Sequence, residues 1–371
     1  MKKTRLPKGL KQKIDRKRHW RSIRHAKTHH AERLVRRKKK VQRAKRETWT
    51  KEVKAPPNIN LYTSRDHTRT VSFLKALRLA ISRSSKVRIC FRDTKSISAA
   101  AGLLFVAELD RLVTHYPDTK LSCIRPPRRH DSRYGNETYI VESVLNRIGF
   151  FKLIGKPERD VPSYANVDCW QHSQGTVAEG SIAGSLINQV NDRLPPVAKR
   201  RLYRGAIEAI SNCVDHAYPT IRPDGLEIDD RRWWMFVGIN LNDLVVVVCD
   251  LGVGIPTTIP QKHSKASINA VLNFLNIKGN NDSDLIHAST YLSKSRTQQK
   301  HRGKGGKDIM GLLDHYVKAN LSIYSNKGCF RGSNKTTKSG KVHPWAVKDE
   351  QKLSIQGTVI EWSVPIKELA A

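Results

Sequence analysis

Leu244-Val-Val-Val-Val-Cys-Asp-Leu-Gly-Val-Gly-Ile-Pro256 is the stretch on which the fold turns. A run of apolar, mostly β-branched residues ending in an acid reads as a buried strand. Two alternating glycines follow, and Gly252 and Gly254 permit positive φ and close approach of backbone to a ligand. Asp250, emerging at the strand end, can accept a hydrogen bond from an exocyclic amine. Alone, Asp-x-Gly-x-Gly is also an ordinary turn. It is not a dinucleotide-binding fingerprint, because the third glycine and the following helix are missing.

Upstream lies Leu202-Tyr-Arg-Gly-Ala-Ile-Glu-Ala-Ile-Ser-Asn-Cys-Val-Asp-His-Ala217, bounded by Pro195-Pro196 and Pro219. The spacing predicts a helix. Ala206, Ile210, Cys213 and Ala217 share one stripe, while Glu208, Asn212 and Asp215 cluster on another face. A carboxamide oxygen suits Mg²⁺ and a carboxylate one turn away can polarise a water or hydroxyl, although such a trio also describes a solvated face. Downstream, Arg302-Gly-Lys-Gly-Gly-Lys-Asp-Ile-Met-Gly-Leu-Leu-Asp314 runs from a glycine stretch into a helix start. Its first amides suit phosphate, with Lys304 and Lys307 adding charge. It does not match the Walker A loop.

Taken in order, Glu-x-x-x-Asn on a helix, Asp-x-Gly-x-Gly after a strand and a glycine-rich helix start strongly resemble the GHKL ATPase superfamily, over about residues 175–366. That superfamily includes DNA gyrase, heat-shock chaperone ATPases, MutL-type repair proteins, histidine kinases and anti-sigma-factor serine kinases. The resemblance implies a Bergerat-type α/β sandwich with ATP held between helices and a movable lid. It makes Glu208 the general base and Asn212 the Mg²⁺ ligand, and it extends cofactor contact to Asp215. It has Asp250 binding the adenine amine, with Gly252 and Gly254 shaping the pocket. Gly303 and Gly305 would line the triphosphate, beside Lys304 and Lys307, which are either phosphate-binding cations or ordinary surface lysines. Gly357-Thr358, opening Val359-Ile-Glu-Trp-Ser-Val-Pro365, looks like the closing Gly-Thr pair, with Thr358 on the adenine side. Gly306 departs from the leucine usual there. The 48 residues Ile255–Arg302 would form the lid, with short helices near 265–275 and 284–292. His263, His287 and His301, in or beside it, lack metal-ligand spacing and are expected in solvent. The His216-Ala217 ending looks most like the anti-sigma-factor serine kinase branch, and no His-Glu-x-x-x-Pro phosphoacceptor helix precedes the domain.

The middle of the chain alternates strands with helices, as a small α/β layer structure does. Lys86–Asp93 alternates with Val87, Ile89 and Phe91 on one face, Ser98–Leu112 reads as a helix, Leu121–Ile124 as a strand and Tyr139–Phe151 as an amphipathic helix. This order resembles the STAS domain of anti-sigma-factor antagonists over roughly residues 60–155. That family places a phosphate-accepting serine just before a glycine at a helix start, whereas here Ala101 precedes Gly102. The resemblance therefore implies a docking domain for a protein partner rather than a phospho-switch.

Charge is the least ordinary property. The chain of 371 residues holds 68 Lys+Arg against 33 Asp+Glu, a net charge of +35. Residues 1–54 carry 23 of those bases and four acids, a local charge of +19. Runs such as Arg36-Arg37-Lys38-Lys39-Lys40 repel one another and are read as a solvated arm, coil or frayed helix, suited to a polyanion such as nucleic acid and without sequence readout. A solubilising or protein-docking tail and an anionic membrane surface are the alternatives. Six singly spaced cysteines without Cys-x-x-Cys read as reduced thiols of a cytoplasmic protein. No apolar run approaches the ~18 residues of a membrane span.

The expected organisation is a basic arm (1–54), a STAS-like α/β domain (55–156), a linker (157–174) and a GHKL ATP-binding domain (175–371). The expected function is an ATP/Mg²⁺-dependent switch, either hydrolysing ATP or phosphorylating serine or threonine on another protein. The competing class is a nucleic-acid-binding scaffold whose ATP site is vestigial.

Overall fold

The computed structural model describes residues 47–131, 136–162, 164, 167–188, 195–222, 231–292 and 305–369. The N-terminal unit contains β1 (Glu47–Lys54), β2 (Asn58–Ile59), α1 (Ser64–Arg83), β3 (Ser84–Cys90), β4 (Ser96–Ile97), α2 (Ala99–His115), β5 (Lys120–Ile124), β6 (Arg129–Asp131), β7 (Asn136–Thr138), α3 (Ile140–Arg147) and α4 (Phe150–Leu153). The C-terminal unit contains β8 (Asp168–Gly175), α5 (Gly180–Asn188), α6 (Pro196–His216), β9 (Trp233–Asn240), β10 (Asp243–Asp250), α7 (Ile255–Lys262), α8 (Lys265–Phe274), α9 (Asp282–Ser289), α10 (Gly305–Met310), β11 (Asn320–Ser325), β12 (Gly328–Thr336), β13 (Val342–Glu350), β14 (Thr358–Pro365) and α11 (Ile366–Leu369). The chain is thus mixed α/β.

The C-terminal unit is organised by a seven-stranded antiparallel sheet in the order β13-β12-β11-β14-β10-β9-β8. Strands β9 and β10 pair from Asn240↔Asp243 to Trp233↔Asp250, so the turn at Leu241–Asn242 fixes which residues share a face. Trp233, Met235 and Val237 of β9 join Leu244, Val246 and Val248 of β10, packing against α5 and α6. The alternate set, Trp234, Phe236, Val245, Val247 and Cys249, packs against the N-terminal unit. Antiparallel strands commonly alternate apolar and polar residues because one face meets water. Here both faces are covered, which is why these two strands are apolar almost throughout.

The N-terminal unit is built on a three-stranded parallel sheet, β1-β3-β5. Val53, Val87 and Ile89 on its inner face share a core with Val71, Leu74, Leu77 and Ile81 of α1. Helix α2 lies between the rest of the N-terminal unit and the seven-stranded sheet, and its thirteen residues Ala100–Leu112 are all buried. Its alanines and Gly102 allow that close packing. Phe105 sits at the centre, with Phe73 at 5.5 Å and Phe150 at 5.6 Å between ring centroids.

Several boundaries differ from the sequence expectation. Residues 47–54, assigned to the arm, form β1, because Val53 pairs with Ile89 and enters the core. The strand expected over 86–93 runs from Ser84 to Cys90, and the helix expected over 139–151 is divided at Gly149, whose φ of +75° interrupts it. Helix α1 has no counterpart in the sequence analysis. Its signal was legible: Thr63 caps it through the Asp66 amide, and Val71, Leu74, Leu77 and Ile81 recur at helical spacing.

Candidate functional site

Three separated segments of chain meet at one cavity on the helix side of the large sheet. Glu208, Asn212 and Cys213 come from α6, Asp250 and Gly254 from the end of β10 and its turn, and Thr358 from the start of β14. Pro196 opens α6 at its first position, where a missing N–H costs nothing. The helix then presents Glu208 and Asn212 one turn apart on its cavity side. Asp250 is brought opposite Thr358 by the β10–β14 register. Val248, Ile323 and Ile360 form the sheet floor, and Ile255, Thr258, Ile259 and Leu292 close the far wall. An apolar slot with a few convergent polar groups is the usual form of a small-molecule site.

Asp250 is buried, and burial raises its pKa to about 6 despite hydrogen bonds that favour its charge. Its Oδ1 accepts the Gly252 amide at 2.8 Å, and Cys213 Sγ lies 3.7 Å from Oδ2. Among the described residues no cation is paired with it, in contrast to Glu108 below. Burial, with Asp250 as the next cause, pushes the Cys213 thiol well up, so this cysteine behaves as packing rather than as a nucleophile. Asn212 Nδ2 donates toward Glu208 Oε1 at 3.5 Å, which leaves the carboxamide oxygen as the accepting end.

The glycines of the turn do different work. A Cβ on Gly252 would lie 2.0 Å from the Ala217 carbonyl oxygen, so this residue fixes the turn against the end of α6. Gly254 has φ +85° and lines the cavity itself. Val253 N–H donates to the Ala217 oxygen at 2.8 Å, completing the joint between helix and turn.

Other expected site residues fall elsewhere. Asp215 is exposed and is not among the cavity-lining residues. Gly303 and Lys304 lie outside the described residues, as does His301. Gly305 begins α10 and Lys307 lies within it. His287 is half-buried rather than in solvent: its ring lies 4.8 Å from that of Phe330, and burial lowers its pKa to about 4. His263 lines the cavity and is half-buried.

Sequence reasoning also missed Ser325 and Tyr218. Ser325 Oγ accepts from Ile255 N–H at 2.9 Å and contacts Thr358 Oγ1 at 3.0 Å, tying two walls together. Tyr218 OH accepts from Leu251 N–H at 3.1 Å beside Asp250. Neither had a sequence signal, since each acts through a partner distant in the chain or through backbone.

A second set of side chains reaches the rear of the Asp250 turn. Glu108 on α2 pairs with Arg78 at 2.6 Å, Arg111 at 2.9 Å and Arg222 at 2.9 Å. Arg222 also donates to the Leu251 carbonyl at 3.4 Å and the Gln356 carbonyl at 3.1 Å. The two loops that carry Asp250 and Thr358 are thereby bound to the N-terminal unit through one buried carboxylate. Burial opposes the Glu108 charge, but Arg222, Arg78 and Arg111 together hold its carboxyl well below the usual range.

Among the described residues no cluster of three or more His, Cys, Asp or Glu could hold a metal. A divalent ion here would take Asn212 and few other protein ligands, which suits Mg²⁺, an ion that usually keeps waters and substrate phosphates in its shell. Among the described residues no helix is long and apolar enough to cross a membrane. No protein-family model matches the chain, and no curated protein matches it.

Proposed function

We propose that this chain is an ATP-binding ATPase of the GHKL type, with a Bergerat-like C-terminal unit and a STAS-like N-terminal unit, working as a nucleotide-dependent switch. The observation that carries this reading is the convergence of Glu208, Asn212, Asp250 and Thr358, from segments up to 150 residues apart, on a single apolar-walled cavity. The apolar walls suit a purine ring. Asp250, with no cationic partner among the described residues, accepts the hydrogen bond of an exocyclic amine, and the Thr358 hydroxyl lies beside it. Asn212 and Glu208 stand one turn apart at the same cavity, where a triphosphate would extend. Mg²⁺, when bound, neutralises phosphate charge. Glu208 then holds and polarises the attacking water, and the chemistry reduces to positioning and charge neutralisation. The segment α7–α9, which supplies the far wall and has a small apolar cluster of its own, is the lid in this reading.

Calorimetric titration of the full chain with ATP, with and without Mg²⁺, tests the binding half. Absence of binding at millimolar ATP would overturn the proposal. Phosphate release tests the other half: Glu208→Ala should lower turnover by about 10²–10⁴-fold, with affinity nearly unchanged. Unaltered turnover removes Glu208 from the base role. Label from the γ-phosphate appearing on an added protein, rather than as free phosphate, converts the reading to a protein kinase.

A further inference from the structure

The small sheet breaks a general rule. All-parallel sheets are almost always covered on both faces, because their crossover connections lay helices over them. Here α1 packs on the inner face of β1-β3-β5, while no described element lies over Lys86 and Arg88 at the centre of the outer face. Its middle strand presents Lys86 and Arg88, one neighbour presents Lys120, and the other presents Glu52 and Lys54, all exposed. The register sets these residues in rows, Thr50–Lys86–Lys120 and then Glu52–Arg88–Ser122. Strands lie ~4.8 Å apart and alternate residues along a strand ~6.6 Å apart, so the cations form a compact array. Glu52 is the one acid among them, and none of the four cations is ion-paired with a described residue.

A face that no described element covers, cationic at its centre and with the half-buried Ile124 at its end as its one large apolar residue, is complementary to a polyanion rather than to an apolar protein surface. Its edge strand β1 is also where the basic arm enters: residues 1–46 hold 21 Lys+Arg and two acids and run directly into Glu47. We infer that the open face of the β1-β3-β5 sheet is a contact surface for a nucleic-acid backbone, continuing the cationic track of the arm. Recognition is by phosphate and carries no sequence readout, since the exposed residues named here offer charge and no aromatic stacking platform. The inference is independent of nucleotide binding and hydrolysis, and the contribution of the arm is tested apart from it.

Salt titration of binding separates the contributions. Anisotropy of a labelled single strand, as RNA and as DNA, is measured on the full chain while ionic strength rises fourfold. Each phosphate contact contributes about 0.7 to the slope of log affinity against log salt on a single strand. The variant Lys86→Gln/Arg88→Gln/Lys120→Gln should lose about 2 from that slope, so that over the fourfold rise it loses about 16-fold less affinity than the parent. The charge-preserving Lys86→Arg/Arg88→Lys/Lys120→Arg should keep the parent slope. The arm is tested separately by changing Arg36, Arg37, Lys38, Lys39 and Lys40 to Gln. A slope lost only with the arm charges overturns the inference and leaves the arm reading standing. A slope lost only with the sheet charges does the reverse. Binding to vesicles containing phosphatidylserine without binding to either nucleic acid also overturns it.

Discussion

The two faces of the seven-stranded sheet bury carboxylates on opposite terms. On the N-terminal side, Glu108 is surrounded by Arg78, Arg111 and Arg222, and its charge is satisfied within the protein. On the helix side, Asp250 is also buried but receives hydrogen bonds from two backbone amides, a hydroxyl and a thiol, and its pKa rises to about 6. A fully compensated carboxylate holds structure. One left without a cation keeps accepting capacity and pays a desolvation cost that folding alone does not require, which is the pattern expected at a ligand site.

The largest expected effect breaks the first half of that contrast. Glu108→Ala leaves three guanidinium groups without their anion and should cost about 3–5 kcal/mol in urea unfolding. A loss below about 1 kcal/mol would show that water replaces the carboxylate and that the pairing is not what joins the units. The second half is tested by Asp250→Asn. It should weaken ATP binding by about 100-fold, the worth of a hydrogen bond to a charged group, while leaving stability within about 1 kcal/mol. Retained affinity would contradict the assignment of Asp250 to the amine. In the parent protein, affinity should also fall as pH drops through about 6, where Asp250 takes up a proton and gives up its place as acceptor.

Glu361 sharpens the comparison, because it lies on the N-terminal side yet behaves like Asp250. Tyr62 OH donates to its Oε1 at 2.7 Å and the Ala100 amide to its Oε2 at 3.2 Å, near the N-terminus of α2. Burial raises its pKa from 4.5 to about 7, against the pull of those hydrogen bonds and of Arg331. Between those two values the folded state binds more protons than the unfolded chain, so this group's contribution to stability falls as pH rises from about 4.5 to about 7. Glu361→Gln should flatten that dependence and raise stability above pH 7 by about 1–2 kcal/mol, since Gln keeps an acceptor for Ala100 while Tyr62 can turn to accept. Urea unfolding at several pH values checks it; an unchanged profile would mean that the group is solvated and titrates near 4.5.

Much of the site was legible because its residues carry local signals. The strand ending in Asp250, the helix opened by Pro196 and the Gly357-Thr358 start of β14 all lie close to where patterning put them. Asp215 was grouped with Glu208 and Asn212 by helical angle, yet it is exposed and outside the cavity lining. The cavity lining runs on along α6 to His216 and Ala217, so the stripe that faces the cavity is turned toward Cys213; Glu208 and Asn212 stand at its edge and Asp215 falls beyond it. Residues 47–54 were assigned to the arm on charge, because Lys51 and Lys54 flank Val53 and hide a single inward side chain. The solvated histidine expected at 287 failed for a similar reason: α9 is held against β12, which places Phe330 over the imidazole.

By itself the sequence determined the alternation of strands and helices, the buried character of β10, and the spacing that sets Glu208 one turn from Asn212. Those follow from short-range rules, because periodicity and turn chemistry act over a few residues. Only the tertiary structure decided that both faces of the large sheet are covered, that Glu108 binds the loops behind Asp250 through Arg222, and that Lys86, Arg88 and Lys120 share one exposed face of the small sheet. Those facts depend on pairings more than 100 residues apart, such as Glu108 with Arg222 and Tyr62 with Glu361, whose energies come from burial and charge compensation that no local pattern encodes.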